Sequence, residues 1–441
     1  MIFSNYNKIA TSLAREKLLK LVDRAICCVQ PKQCIPKALK LHNNKLYIEG
    51  NCFSLAGKRI FVIGVGKASA EMALEIEKIV GQERIRAGIV ITNRTTVKLK
   101  KIKMHLADHP IPSVRGLQGA KKIFAFKKKY NIGKNDLIIA LVSGGWSALV
   151  PCPVHGISLA DKKKLYNLFI KYGVEGFEST IIKTKISCVK GGGLAKYFFP
   201  TTIISLILSD DNGWSGDKFT SSGPFTPHPS TFADAIKVID KYKMRDEVPK
   251  SIIAFLEKNK NKNKTSSANV KQFILANNKI LLAEINKFAK KEGLLVKIKN
   301  NVAGEAGDVA REFCMKINKK KPIFLLYGGE TTVKLPKSHG AGGRNQEFIA
   351  VCLKYLQNVK LSDKHWALAS IATDGVDFIK QSAGGIIDND TLRFIENKSI
   401  DVNNYLNKHD SHNLLKVINA NVFIGDPTGT NVGDIMMYLQ L

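Results

Sequence analysis

"KRIFVIGVGKASAEMALEIEKIV" occupies residues 58–80. Its first part is a continuous apolar run, its last part an amphipathic repeat at helical spacing, and a glycine turn joins them. A strand that is apolar on both faces belongs in a sheet covered on both sides, and the helix after it supplies one cover. "AGIVITN", "DLIIALVS" and "TTIISLILS" repeat the strand. "RGLQGAKKIFAFKKKY", "SLADKKKLYNLFIKYG" and "STFADAIKVIDKY" repeat the helix. The alternation predicts an α/β fold with mainly parallel sheets flanked by helices.

Upstream, "IATSLAREKLLKLVDRAICCVQP" reads as a helix ending near Pro31. Downstream, "EKNKNKNKTSSANVK" is charged, low in complexity and nearly free of large apolar side chains, as a solvated linker would be. The alternation then resumes with "QFILANN", "LLVKIKN", "PIFLLYGGE", the helix "EFIAVCLKYLQ" and the strand "WALASIATDG". The expected organisation is an N-terminal Rossmann-like α/β domain over 1–256, a lysine- and asparagine-rich linker over 257–272, and a C-terminal α/β domain over 273–441.

A chain of 441 residues, 44% hydrophobic, is long enough for two such cores. It holds no run of roughly 18–20 apolar residues that would span a bilayer. Its first residues have no long apolar core or small-residue cleavage site, so a cytoplasmic location is expected. The net charge of +31 comes mostly from scattered lysines, with only 11 arginines among 68 basic residues. Nucleic-acid readers cluster their charge and favour arginine, so no specific nucleic-acid partner is expected. Eight dispersed cysteines form no CxxC pair and read as reduced thiols.

Five loops at strand ends carry the chemistry. In "GVGKAS", Gly64, Gly66 and Lys67 precede a helix, whose N-terminus favours an anion. A P-loop would need glycine where Phe61 stands and serine or threonine at Ala68, and no acid ends the next strand to hold a dinucleotide ribose. "LVSGGWSALV" places Ser143, Gly144, Gly145 and Ser147 after a strand, either as an anion nest or as a plain turn. "CVKGGGLAK" offers Lys190, Gly191 and Gly192. "ILSDDNGWSGDKFTSSGP" puts Asp210 and Asp211 where acids hold Mg²⁺, accept a proton or cap a turn. "YGGETTVKLPKSHGAGGRNQEFIAVCL" brings Glu330 and Thr331, then Arg344, Asn345, Gln346 and Glu347 at a helix start. An arginine there suits a fixed fork for an anion or a structural ion pair. Asp374 in "ATDGVD" and the segment "DPTGTNVGD", with Thr428, Gly429, Thr430 and Asn431, complete the set. His105 and His109 sit beside Asp108 and Pro110, a poor setting for a helical metal pair.

Taken together and in this order, "GVGKAS", "DHPIPSVRG", "LVSGGWSAL", "KGGGLA", "SSGPFTPHPSTFADA", "GGETTV", "GAGGRNQE", "ATDGVD" and "PTGTNVGD" resemble the class II glycerate 2-kinase family, whose C-terminal domain is called MOFRL. The resemblance spans most of the chain. It implies ATP-dependent phosphorylation of D-glycerate at its 2-hydroxyl with Mg²⁺, in a cleft between two α/β domains, by a monomer or homodimer. It places Lys67 and Arg344 as the basic pair, Asp210 and Asp374 as catalytic acids or metal ligands, and the remaining loop residues named above as nucleotide contacts.

Three departures stand out. The family usually reads SGGGSAL where this chain has Trp146. It more often has glycine where Phe378 follows the second Asp of "TDGVD". The segment after Ser209 reads "SDDNGWSGD" in place of the usual SDVVGD. If the position of Trp146 needs φ > 0, its side chain costs roughly 1–2 kcal/mol. Two other readings stand beside the kinase: an NAD(P)H-dependent hydroxypyruvate reductase, weakened by the missing ribose acid, and a non-catalytic relative that binds an anionic metabolite.

Overall fold

The computed structural model describes residues 1–94, 97–109, 111–210, 223–262, 269–317, 323–359, 365–379, 382–425 and 428–441. The chain forms two compact units. One is Cys34–Leu275; the other joins Met1–Gln33 to Ala276–Leu441.

This division differs from the boundaries read along the chain, because the first helix belongs with the C-terminal half. Ser12 caps that helix, Leu13–Val29, which buries Leu18, Leu19, Val22 and Ile26. Its Arg15 donates a buried fork to Asp388, Nε to Oδ2 at 2.8 Å and Nη2 to Oδ1 at 3.0 Å. A bidentate pair sealed from water fixes both register and partner. The stretch 257–272 is also less of a linker than its composition suggests. A helix, Lys250–Asn259, runs into it, and a strand begins at Val270. Residues 263–268 lie outside the described residues.

In the unit Cys34–Leu275, β1 (Leu39–His42), β2 (Lys45–Ile48) and β3 (Asn51–Ser54) form a small antiparallel sheet. The main sheet contains β4 (Ile60–Val65), β5 (Ile85–Thr92), β6 (Ile102–Leu106), β7 (Leu137–Ser143), β8 (Thr202–Leu208) and β9 (Val270–Ala276, its last residue past the unit boundary). Their order is β6-β5-β4-β7-β8-β9. β4 pairs in parallel with β5 and β7, β5 with β6, and β7 with β8. Every residue of β4 and β7 is buried, as their unbroken apolar runs require. The chain steps outward from β4 to β6 and then returns to β7 on the other side of β4. The crevice at such a reversal, outside the carboxyl ends of the strands, is where open α/β sheets bind ligands.

The second unit has β10 (Val296–Glu305), β11 (Phe324–Thr332), β12 (Trp366–Ala372), β13 (Gly384–Asp388), β14 (Asn421–Val422) and β15 (Asp434–Gln440), in the order β10-β11-β15-β12-β13-β14. The α/β reading holds for both units, but this sheet is mixed. β10 and β11 are parallel, and the other pairs are antiparallel. β13 follows β12 without an intervening helix, a connection that suits antiparallel pairing. Phe313, Phe348, Trp366 and Tyr438 fill the core beneath it.

Candidate active site

In the parallel unit, β4 and β7 deliver "GVGKAS" and "SGGWS" to the same end of the sheet. Gly66 has φ +123°, and a Cβ there would lie 2.3 Å from the Ser143 carbonyl oxygen. Only glycine permits that approach. The Lys67 amide donates to the Gly144 carbonyl at 2.9 Å, and the Ala68 amide to Ser143 Oγ at 3.0 Å. A Cβ on Gly145 would meet Lys67 Cγ at 3.0 Å and His109 Cδ2 at 2.9 Å, so Lys67 and His109 flank this glycine. Gly64, by contrast, lies inside β4 and packs on Val90. β5 ends on Thr92, whose hydroxyl donates to the Lys67 carbonyl at 3.2 Å. A hydroxyl with that partner stands where a dinucleotide-binding strand would present a carboxylate.

Trp146 does not occupy the strained position its neighbours suggested. The left-handed φ of +81° falls on Gly145, and Trp146 opens the short helix Trp146–Leu149. Its indole is buried in the core, with the Lys190 ammonium 4.2 Å from the ring centroid, a cation–π contact. Lys190 also donates to Ser147 Oγ, and the chain then passes through Gly191 and Gly192 into the helix Gly193–Phe198. Asp210 lies two residues beyond β8; Asp211 and the rest of that loop to residue 222 lie outside the described residues.

Beside Lys190, Cys152 and Cys188 face each other across a bridge in which the Cys188 amide donates to the Cys152 carbonyl at 2.8 Å. The protonated Cys188 thiol donates to the Pro153 carbonyl at 3.4 Å. A hydrogen bond from Cys152, aided by the nearby Lys162 ammonium and opposed by burial, lowers the Cys188 pKa to about 7. Alkylation of Cys188 by iodoacetamide, followed by mass spectrometry, is therefore expected to reach half its maximal rate below the ordinary thiol value of 9.0. A midpoint at the ordinary thiol value of 9.0 would contradict this electrostatic account.

In the other unit, a cavity of about 630 Å³ is lined by Glu330, Gly343, Arg344, Glu347, Phe378 and His409, among others. Arg344 opens the helix Arg344–Gln357. Its Nε and Nη2 donate to the Asp434 carboxylate at 2.5 and 3.0 Å, and Nη1 lies 2.9 Å from Glu330 Oε1. Asp434 is fully buried, whereas Arg344 keeps 29% of its side chain exposed at the cavity. The fork is thus clamped from behind, and the structural ion pair and the cavity-facing cation are one residue.

Asn345 and Gln346 do not face that cavity. Both are buried and turn toward Asp377. The Asp377 carboxylate accepts from the Asn345 amide at 3.0 Å and Nδ2 at 3.2 Å. It also accepts from the Gln346 amide at 2.9 Å and Nε2 at 3.1 Å. The protein itself supplies the anion that this helix N-terminus favours. Glu347 meets His409 Nδ1 at 3.1 Å, and burial raises its pKa. Thr331 is buried at the end of β11. Thr428 Oγ1 donates to the Thr373 carbonyl at 2.7 Å and Thr430 Oγ1 to the Val29 carbonyl at 3.0 Å, with Gly429 between them and half-buried Asn431 after them. These hydroxyls stitch the loop to its own unit. Asp374 Oδ1 accepts from the Val376 amide at 3.0 Å, which closes a turn.

Phe378 is the departure that does carry strain. Its φ is +63°, in the region that favours glycine, and its ring is 79% exposed beside the cavity. Phe378→Gly relieves the left-handed backbone and gives up little buried area. Its unfolding free energy in urea is expected to rise by about 1 kcal/mol. A loss of stability would mean that the ring packs more tightly than its exposure indicates.

The residues overlooked along the sequence are mostly those that hold others in place. Asp377 and Asp434 sit inside quoted motifs, and an acid opening the apolar run "DIMMYLQ" was the available signal for Asp434. Lys162 and Lys183 carried no signal among so many lysines.

Among the described residues, no three His, Cys, Asp or Glu side chains gather as a metal cage. Mg²⁺ in phosphoryl transfer needs only one or two carboxylates beside phosphate oxygens and water.

Residues 17–257 match the domain of unknown function DUF4147, and residues 323–434 match the MOFRL family. The chain is 35% identical to a glycerate 2-kinase of Pyrococcus horikoshii over 96% of both chains. It is 32% identical to a glycerate 2-kinase of Picrophilus torridus over 99% of both. The crystal structure of a glycerate kinase from Thermotoga maritima superposes with a TM-score of 0.77 at 29% identity, covering 97% of this chain and 99% of that one. No described helix is long and apolar enough to cross a membrane. With a family match over more than half its length and relatives above 30% identity from end to end, the chain belongs to the MOFRL-type glycerate 2-kinase family.

Proposed function

We propose that this protein transfers the γ-phosphoryl group of ATP to the 2-hydroxyl of D-glycerate, giving 2-phosphoglycerate and ADP. The observation that carries the proposal is end-to-end similarity to glycerate 2-kinases. The glycine-rich loops and Lys67 at the β4–β7 reversal, and the cavity-facing Arg344, are consistent with it. Phosphoryl transfer is chiefly positioning and charge stabilisation, so the chemistry asked of the chain is modest. Lys67, held at a helix start by its amide on Gly144, supplies positive charge to phosphoryl oxygens. Arg344, clamped by Asp434, presents a rigid guanidinium edge to a carboxylate or phosphate. Asp210 and Asp374 hold the metal or orient the attacking hydroxyl. Mg²⁺, when bound with the nucleotide, neutralises the charge that develops on the β- and γ-oxygens.

The test is ADP release by the purified chain with Mg-ATP and D-glycerate, with the product identified by phosphorus NMR. 2-Phosphoglycerate is the expected product. The 3-phospho isomer, or no phosphorylated acid from folded protein, would overturn the reading.

A further inference from the structure

Three lysines on separate elements converge beside the SGGWS loop: Lys162 on the helix Leu159–Lys171, Lys183 on the helix Gly176–Lys185, and Lys190 before the glycine run. Lys162 is fully buried, and among the described residues its ammonium has no hydrogen-bond partner. Lys190 is 2% exposed, held between the Trp146 ring and Ser147 Oγ. Lys183 donates to Ser179 Oγ at 2.8 Å and lies 5.1 and 5.4 Å from the ring centroids of Tyr166 and Phe169. Among the described residues no carboxylate pairs with any of them.

Burying an ammonium without a counter-charge is among the costliest things a fold can do, and aromatic faces offset it only in part. Burial, and for Lys162 and Lys190 the repulsion of neighbouring lysines, lowers all three pKa values, to about 8 for both Lys162 and Lys183. The resting cluster therefore holds its protons weakly. The Cys188 thiolate, favoured by the nearby Lys162, offsets that ammonium only in part, and an arriving dianion supplies the charge still missing. Ser147, Lys183, Cys188 and Gly191 around the cluster are half-buried, so it meets partly exposed residues on that side.

We propose that Lys162, Lys183 and Lys190 form a receptor for a dianionic phosphoryl group entering past Ser147 and Gly191. The anion follows from the cluster alone; its carrier, a nucleotide polyphosphate tail or a phosphorylated sugar acid, rests on the kinase reading.

The test is calorimetric titration of the full chain at pH 8.5 with inorganic pyrophosphate and, separately, 2-phosphoglycerate, each in two buffers of different ionisation heat. Binding with net proton uptake is expected, since the lysines regain protons as the anion arrives. Lys162→Met is expected to weaken that binding at least about tenfold and to reduce the uptake, Lys183 and Lys190 still regaining protons. Among the described residues, Cys152, Cys188, Tyr166, the more distant Lys121, and His228 beside Gly191 are other titratable groups near the cluster. Cys188→Ser is therefore run beside it and should retain the uptake. Thermal unfolding confirms that each variant is folded; Lys162→Met, which removes a buried charge, is expected to melt no lower than the wild type.

Tighter binding of pyrophosphate assigns the receptor to the nucleotide tail, and tighter binding of 2-phosphoglycerate assigns it to the ester. Binding of neither, or binding that Lys162→Met leaves unchanged, overturns the receptor. ADP release by the wild type, measured in parallel, keeps the two readings apart. Turnover with Lys162-independent binding sinks the receptor alone, and Lys162-dependent binding without turnover sinks the kinase alone.

Discussion

Asp377→Ala is expected to lose about 4 kcal/mol of unfolding free energy in urea, one of the two largest single-residue stability effects anticipated in this chain. The carboxylate accepts four hydrogen bonds from Asn345 and Gln346 while only 1% exposed. Two of the donors are backbone amides in the first turn of the helix Arg344–Gln357, which have no partner within the helix. Truncation strands all four donors in a dry interior. Asp377→Asn keeps one acceptor oxygen of the same shape and should recover part of the loss. If the alanine variant unfolds within about 1 kcal/mol of the wild type, water or another group must reach the helix start, and the account of that N-terminus fails.

Arg344→Ala should show two separable defects. Activity should fall by about 10²–10³-fold, the cost of removing one aimed donor from a transition state. Stability should fall by about 3–5 kcal/mol, because Asp434 would remain fully buried without its counter-charge. Removing both partners in Arg344→Met with Asp434→Leu should restore much of the stability and none of the activity. Steady-state ADP release and urea unfolding on the three proteins decide the matter. Near-normal kcat in folded Arg344→Ala would reduce the arginine to a structural brace.

The parts of the fold that were legible are those where one strand determines its own environment. β4, β7 and β8 are almost wholly apolar, so a doubly covered parallel sheet could be read from them directly. β15 could not, since nothing local says that the last strand enters the middle of a sheet, antiparallel to both neighbours. The home of the first helix was hidden for a similar reason: its amphipathic stripe says that it packs but not on what, and Asp388 lies 373 residues from Arg15.

In the candidate site, small polar residues carry two readings in the sequence. Asn345, Gln346, Thr428 and Thr430 look like ligand contacts, but their side-chain donors are directed to partners within their own unit. The bulky departures were instead separable by backbone. Gly145 takes the left-handed turn and frees Trp146 from strain, whereas Phe378 takes it itself. The buried lysines were masked by composition, since a lysine-rich chain makes each one look ordinary.

The assignment of Met1–Gln33 to the C-terminal unit has a consequence for synthesis. The helix Leu13–Val29 cannot dock until the strands and helices that follow residue 276 have emerged. At about 5–20 residues per second, it waits roughly 10–50 s while the whole inserted unit is made. Throughout that interval its apolar stripe has no native partner, and the inserted unit can complete its own core first. During synthesis that helix is therefore an open seam, closed only once β12, β13 and β15 have been made.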